Sequence, residues 1–450
     1  MITPVAAAGR PALARRAVLA SGATLGAGLA ASGTLLPAAA AADRTPAAAG
    51  NPVVLFTDPA LNFQSQFTVG AAGYGAAEYG EAATAFNSAH HGGDTYDAYY
   101  DAFRSMGQVV GGFGHQALAG GNHSAARGAF LRAASYLANP LYVAIGTRHP
   151  RRSQAAAYRA MNDSWVLAAG LLEPAAERVA IPYGRTSMPG WLLRPPGRRT
   201  RRPTVILNNG NDAQNIGLYV YGAVEAVAQG YNALIFEGPG QGSMLFLRGI
   251  PFRPDWEAVI TPIVDYLQGR PDVDPDRIAL IGWSQGGALC ARAAAFEHRL
   301  AALVLDPGVS SFMSAFHLPK KLVALALSGH DAEANAIWTK KIFPKLPIST
   351  QFLFTKSSYP FLQPTFAALI QALAKYETAT YLPKITTPTL VDQYVGDASF
   401  AGQGEQVMKL LRCPKTLHTF TPAAGCQFHC APMAPQRRNQ VIFDWLRKIL

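Results

Sequence analysis

Three residues in the second half of the chain could together break a carbonyl bond: a serine between glycines, an aspartate at a strand end and a histidine in a late loop. The serine lies in Gly282-Trp283-Ser284-Gln285-Gly286. The segment before it, RIALIG, reads as a buried strand, and SQGGALCARAAAF after it reads as a helix. G-x-S-x-G between a strand and a helix is the setting in which a serine hydroxyl projects from a strained turn as a nucleophile. The glycines are needed because a side chain there would strike the neighbouring strand or helix. The helix N-terminus favours negative charge developing beside it.

Such a serine needs a base to take its proton and an acid to orient the base, in the chain order serine, acid, histidine. His429, in the loop AAGCQFHCAP before the closing helix, is placed for the base; His418 lies inside the strand-like KTLHTF and reads as structural. Asp397 ends the apolar run TLVDQYVGD and is the preferred acid. Asp392 lies within that run and should point elsewhere, and Asp306, at the end of AALVLD, competes for the acid role. Two backbone N–H groups are then required for the oxyanion. Gln285 follows the serine and supplies one. The turn after TVILNNGND supplies the other, expected at Asn211, with Gly210 allowing close approach and Asp212 orienting the loop or touching substrate.

The elements that must carry these residues alternate. Over residues 51 to about 172 the periodicity is helical, in AAEYGEAATAFNSA, TYDAYYDAFRSMGQVV, AARGAFLRAASYLANPLYVAI and AAAYRAMNDSWVLAAGLL. From about 177, ERVAIPY and MPGWLLRPP read as an antiparallel strand pair. Apolar strands then alternate with helices in TVILNNG, NALIFEGPGQG, RIALIG and AALVLDPG, and TPTLVDQYVGD and KTLHTFTP follow later as further strands. Non-alternating apolar strands separated by helices predict an α/β fold, a mostly parallel sheet with helices on both faces. Residues 311–384 interrupt this alternation with helical, aromatic-rich sequence, an insertion after the sixth strand on the edge where such sheets bind ligands. The expected organisation is therefore 1–42 as an export segment, 43–172 as a helical cap and 173–450 as the catalytic domain.

With 450 residues, 49% of them hydrophobic and 15% charged, the chain is core-rich and globular. Its net charge of +11 is scattered, with short clusters at Arg198–Arg202 and Arg437–Arg438 read as solvated surface, and no nucleic-acid signature accompanies it. Residues 1–42 carry Arg15-Arg16, an apolar run broken by glycines and a small-residue end, the pattern of a twin-arginine export signal. No stable membrane anchor is expected, and the mature protein would be secreted or otherwise extracytoplasmic. Removal of Arg10, Arg15 and Arg16 would leave a charge of +11 − 3 = +8. Export permits disulfides. Cys290 is expected to be buried and free, while Cys413 with Cys426 or with Cys430 stays open. Neither Cys426, Cys430 and His429 nor His90, His91, Asp94, His115 and His123 has clean metal-ligand spacing, so no metal and no cofactor is expected. Gly238-Pro239-Gly240-Gln241-Gly242 lacks the lysine of a phosphate loop and reads as a tight turn under the active-site floor.

Three features resemble one branch of the alpha/beta hydrolases: FEGPGQG, the long run from DWEAVITPIVDYL to RLAALV, and the VGD, His429-Cys430 and FDWL elements. That branch contains 2,6-dihydroxypseudooxynicotine hydrolase, FrsA-type esterases and fungal polyketide-shortening hydrolases. Glu237 stands where the branch has aspartate before G-P-G-Q-G. The resemblance implies an alpha/beta-hydrolase fold with an N-terminal helical cap, and Ser284, Asp397 and His429 as a triad. It implies a serine hydrolase acting through an acyl-enzyme on a C–C (1,3-diketone-like) or ester bond of a small aromatic or polyketide-like molecule. The alternatives are an exported peptidase or amide hydrolase, and a non-hydrolytic lyase or cyclase of the same fold. A small-molecule substrate is the expected partner, and a homodimer is allowed.

Overall fold

The computed structural model describes residues 53–450, so the expected export segment lies outside the described residues. Helices come first: α1 Pro59–Ala71, α2 Tyr79–His91, α3 Tyr96–Ala119, α4 His123–Val143 and α5 Pro150–Gly170. The first of these starts where Asp58, as N-cap, accepts from the backbone N–H groups of Ala60 and Leu61 at 2.8 and 3.1 Å. Tyr96 at the start of α3 donates to the same aspartate at 3.0 Å, which ties α1 to α3.

Eight strands follow: β1 Glu177–Tyr183, β2 Thr186–Leu193, β3 Arg202–Asn208, β4 Asn232–Phe236, β5 Val273–Trp283, β6 Ala302–Asp306, β7 Thr389–Tyr394 and β8 Lys415–Phe420. They form one sheet in the order β1-β2-β4-β3-β5-β6-β7-β8. The ERVAIPY and MPGWLL segments pair antiparallel, and β2 joins β4 antiparallel. The other pairings, β4 to β3 to β5 to β6 to β7 to β8, are parallel. Strands β4 and β6 are buried along their whole length, as the unbroken apolar runs NALIF and ALVLD require of strands covered on both faces. This is the mostly parallel α/β sheet expected from the alternation, and it agrees with the alpha/beta-hydrolase fold that the resemblance implies.

The order places β5 centrally, with β3 on one side and β6, β7 and β8 on the other. The loops that leave the carboxyl ends of β3, β5, β7 and β8 carry Asn211, Ser284, Asp397 and His429, so one sheet edge collects all four. Between β6 and β7 lies the insertion, with helices Lys320–Leu327, Asp331–Ile337, Ile348–Ser358 and Phe366–Leu373. Its interior is aromatic. Trp338 lies 4.5 Å from Phe354 and stacks on Phe366 at 4.6 Å, centroid to centroid.

One charge departs from the surface reading. Arg437 is exposed, but Arg438 is 1% exposed. The closing helix Pro435–Ile449 turns Arg438 inward onto Asp306, where Nε donates at 2.7 Å and Nη2 makes a second bond. A buried guanidinium needs a carboxylate at this distance, and Asp306 at the end of β6 is that partner. All four cysteines are buried and free, so Cys413 pairs with neither Cys426 nor Cys430. No described helix is long and apolar enough to cross a membrane.

Candidate active site

Ser284 sits at φ 60°, in the left-handed region, between the end of β5 and the helix Gly286–Ala294. Its backbone N–H donates to the Asp306 carbonyl at 2.7 Å, and its carbonyl accepts from Gly287 N at 2.9 Å. The glycines permit this turn by what they lack. A Cβ on Gly282 would stand 2.2 Å from the Gly286 carbonyl oxygen, and one on Gly287 would stand 2.1 Å from that of Pro307. The local strain is therefore imposed by close backbone packing on both sides of the serine.

Ser284 Oγ lies 2.8 Å from His429 Nε2, and His429 Nδ1 lies 2.7 Å from Asp397 Oδ2. With Nδ1–H donating to the carboxylate, Nε2 is left to accept the serine proton. Asp397 is 3% exposed, and its Oδ1 accepts from the N–H groups of Ser399 and Phe400 at 2.8 and 3.0 Å. Gly396 N donates to the Gln427 carbonyl at 2.8 Å, which joins the aspartate turn to the histidine loop. Burial works to raise the Asp397 pKa, but the adjacent His429 and the N–H donors outweigh it, so the carboxyl stays below its usual value. Burial likewise depresses His429. Asp397 and then Cys430 outweigh that, so the imidazolium is favoured well above the usual histidine pKa. The pair is thus arranged to stabilise the charge that appears when the serine proton moves onto the ring.

The other acids do different work. Asp306 accepts from Arg438 and from the Tyr394 hydroxyl, so the competitor for the acid role is committed to a buried ion pair under the site. Asp392 is buried on β7, and burial, with Asp306 nearby, pushes its pKa well up. His418 lies in β8 opposite Asp392, and burial lowers its pKa.

The loop after β3 packs directly on the serine turn. A Cβ on Gly210 would stand 2.6 Å from the Trp283 carbonyl oxygen and 2.9 Å from Gln285 N. Neither the Asn211 nor the Gln285 backbone N–H has a hydrogen-bond partner among the described residues. The Asn211 side chain donates to the Ser357 carbonyl at 3.2 Å, and Asp212 pairs with Lys356 at 2.6 Å, so the insertion helix Ile348–Ser358 holds this loop from above. Lys356 also lies 4.3 Å from the ring centroid of Tyr142 on α4. Sequence reasoning passed over Lys356, because only the folded chain brings it beside Asp212.

A cavity of about 710 Å³ opens over Ser284 and His429. Rings and aliphatic groups from α1, the insertion and the loops line it, among them Phe63, Phe67, Trp283, Phe316, Trp338 and Phe354. Phe63 and Phe400 approach the His429 ring at 6.2 and 5.5 Å. Among the described residues no cluster of three or more His, Cys, Asp or Glu is placed to hold a metal ion. A serine, a carboxylate-backed histidine and two uncommitted N–H groups at the floor of an apolar cavity can carry out attack on a carbonyl carbon and transfer of the serine proton.

A family model described as "Alpha/beta hydrolase family" matches residues 217–438. Hydrolase LUC6 of a Fusarium species is 29% identical over 351 residues, covering 75% of this chain and 82% of that protein. 20-hydroxy-prefusarin hydrolase FUS2 of Gibberella moniliformis is 27% identical over 350 residues, covering 75% of this chain and 82% of that protein. The crystal structure of 2,6-dihydroxy-pseudo-oxynicotine hydrolase superposes with a TM-score of 0.62 at 21% identity, covering 78% of this chain and 88% of that one, a likeness of fold.

Proposed function

We propose that this chain, whose residues 217–438 match the alpha/beta-hydrolase family model and whose fold is that of an alpha/beta hydrolase, is a serine hydrolase that cleaves a C–C bond of a 1,3-diketone-like compound, or an ester bond, in a small, largely apolar molecule. Ser284 attacks the carbonyl carbon while His429 takes its proton, and Asp397 orients the ring and offsets its charge. The oxyanion is received by the N–H groups of Gln285 and Asn211. When the tetrahedral adduct collapses, His429 returns the proton to the leaving group, an alkoxide in an ester or an enolate carbon in a 1,3-diketone. Water, deprotonated by His429, then hydrolyses the acyl-serine. No metal or cofactor takes part in this scheme.

The observation that carries the reading is the unbroken hydrogen-bond line from Ser284 Oγ through His429 to Asp397, at 2.8 and 2.7 Å, at the floor of the cavity. The apolar lining favours an enclosed aromatic or polyketide-like substrate. The Gibberella relative, named as a hydrolase of 20-hydroxy-prefusarin, points the same way.

The test is labelling with a fluorophosphonate, followed by peptide mass spectrometry. The expected adduct is on Ser284 in the wild type and absent from Ser284→Ala, which also loses turnover by roughly 10⁴-fold or more. A folded wild-type protein that takes no label, or a Ser284→Ala variant with near-normal turnover, would refute the nucleophile. Parallel assays on a p-nitrophenyl ester, an aryl 1,3-diketone and an anilide separate the ester, C–C and amide readings. We also propose export through residues 1–42, expected to yield a mature N-terminus near Asp43 outside the cytoplasm. Retention of the full chain inside the cell would overturn it.

A further inference from the structure

We infer that Gln241 is a positioning residue for the oxyanion site: its carboxamide sets the orientation of the Gly210–Asn211 peptide so that the Asn211 N–H faces the carbonyl attacked by Ser284. The inference rests on the reading of Ser284 as nucleophile and adds to it a residue that touches no substrate.

Gln241 belongs to the tight turn Gly238-Pro239-Gly240-Gln241-Gly242 after β4, the strand beside β3. It is 2% exposed and is absent from the cavity lining. Its side chain is committed at both ends. Nε2 donates to the carbonyl oxygens of Asn209 at 2.8 Å and Gly210 at 3.1 Å, while Oε1 accepts from Gly238 N at 3.1 Å. Asn209's carbonyl has a second donor in Asn208 Nδ2 at 2.7 Å. For the Gly210 carbonyl, Gln241 is the one partner found among the described residues.

A peptide unit is planar and trans, so its C=O and N–H point in opposite directions. Holding the Gly210 carbonyl toward the G-P-G-Q-G turn therefore turns the Asn211 N–H to the opposite side. Asn211 meets the cavity there together with Ser284 and Gln285, and its N–H has no partner among the described residues. Gly210 packs on the serine turn with no room for a side chain, which fixes where the peptide lies. Its rotation remains to be fixed, because a flip about the flanking bonds would aim the carbonyl oxygen, not the N–H, at the developing oxyanion. The bonds from the roof, Asn211 Nδ2 to Ser357 and Asp212 to Lys356, act on side chains and leave that rotation open. Gln241 acts on the peptide itself.

The experiment uses the full chain with Gln241→Ala and the near-isosteric Gln241→Glu, whose ionised carboxylate can accept but not donate. With p-nitrophenyl butyrate, both variants are expected to lose roughly 10- to 100-fold in kcat, less than the loss of a whole oxyanion donor, with KM changed by less than about 3-fold. The rate of fluorophosphonate inactivation should fall in parallel. The acid limb of kcat/KM should not move, because His429 and Asp397 are not touched. A folded variant with wild-type kcat, or one whose KM rises while kcat holds, overturns the inference. A structure of the wild-type phosphonylated enzyme decides it without any variant. The phosphonyl oxygen is expected within hydrogen-bond distance of Asn211 N, and a Gly210 carbonyl facing that oxygen overturns it. Failure of the wild type to form the adduct at all sinks the nucleophile reading instead, so the two failures are distinguishable.

Discussion

The floor and the roof of the cavity are held by different means. On the floor, main-chain groups fix each reacting side chain. The Asp306 carbonyl holds Ser284 N, two backbone N–H groups hold Asp397, and the Gln427 carbonyl ties the aspartate turn to the histidine loop. On the roof, α1 and the insertion meet the cavity through rings that pack on one another, such as Phe63 on Phe67 and Trp338 on Phe354. Polar pins such as Lys356 to Asp212 and Asn211 to Ser357 fasten that layer to the loops below. Catalysis tolerates little displacement of reacting atoms, and backbone bonds at strand ends give little. Recognition of an apolar body asks for complementary shape, which packed rings supply and can vary without moving the sheet. Damage to the floor should therefore appear in kcat and in stability, and damage to the roof in KM.

The largest expected effect on the floor, apart from loss of the nucleophile, is that of Asp397→Asn. Asparagine preserves the shape but leaves the imidazole without its anionic partner, and kcat should fall by roughly 10³- to 10⁴-fold. The pH profile sharpens the point. His429 must be neutral to take the serine proton, and Asp397 holds its pKa well above the ordinary value despite the opposing effect of burial. In the wild type kcat/KM should therefore rise with pH through a limb above about 6.5. In Asp397→Asn burial is opposed by Cys430 alone of the two, and the limb should move to lower pH. A limb that stays in place would mean that Asp397 does not set the basicity of His429.

Arg438→Met comes next. Removing the guanidinium takes both of its bonds from Asp306, which is 0% exposed, and leaves the carboxylate with the Tyr394 hydroxyl and its charge uncompensated. Breaking a buried pair from one side costs about 3–5 kcal/mol, and chemical denaturation should show a loss of that order. Where the variant stays folded, its kcat should fall far less than that of Asp397→Asn. A kcat loss equal to that of Asp397→Asn would make Asp306, not Asp397, the acid that serves the base.

This contrast also marks what the sequence could disclose. The floor was legible because its signals are local. Apolar runs mark β3 to β7, glycines bracket Ser284, and Asp397 and His429 follow in the required order after strand ends. Arg438 misled for the opposite reason. Beside Arg437 it reads as surface charge, and its partner Asp306 lies 132 residues earlier, where only the fold brings it near. Gln241 was visible as part of a tight turn, but its grip on the Gly210 peptide depends on β4 lying beside β3. Lys356 and the rings of the insertion carry no motif, since packing against α1 and α4 can be satisfied by many sequences. The expected 1–42 segment lies outside the described residues, so nothing in the fold bears on it.

On the roof, Phe63→Ala and Phe354→Ala test recognition. Each removes part of an apolar wall, worth about 1–2 kcal/mol against a bulky aromatic substrate, or roughly 5- to 30-fold in KM. A short acyl p-nitrophenyl ester that does not fill the cavity should be turned over at near wild-type kcat. Phe63 is the sharper probe because it also lies 6.2 Å from the His429 ring. If its loss lowers kcat for the small ester as well, the division between floor and roof fails at α1, and that helix would have to be counted with the catalytic floor.

The smallest effect is expected from Lys356→Met, and it asks whether the roof acts on the floor at all. The substitution keeps much of the aliphatic stem that packs near Tyr142 and removes the charge facing Asp212. Because Asp212 is about one-third exposed, solvent screens the pair, and its loss should cost no more than about 1 kcal/mol. If the ion pair only fastens the insertion, KM should rise a few-fold with kcat unchanged, and Asp212→Asn should reproduce it. If it also helps place Asn211, kcat should fall for the short ester too, and combining it with Gln241→Ala should produce a loss different from the product of the two single losses. A double-mutant cycle on kcat measures that coupling. Independence would assign the orientation of the Asn211 N–H to the floor alone.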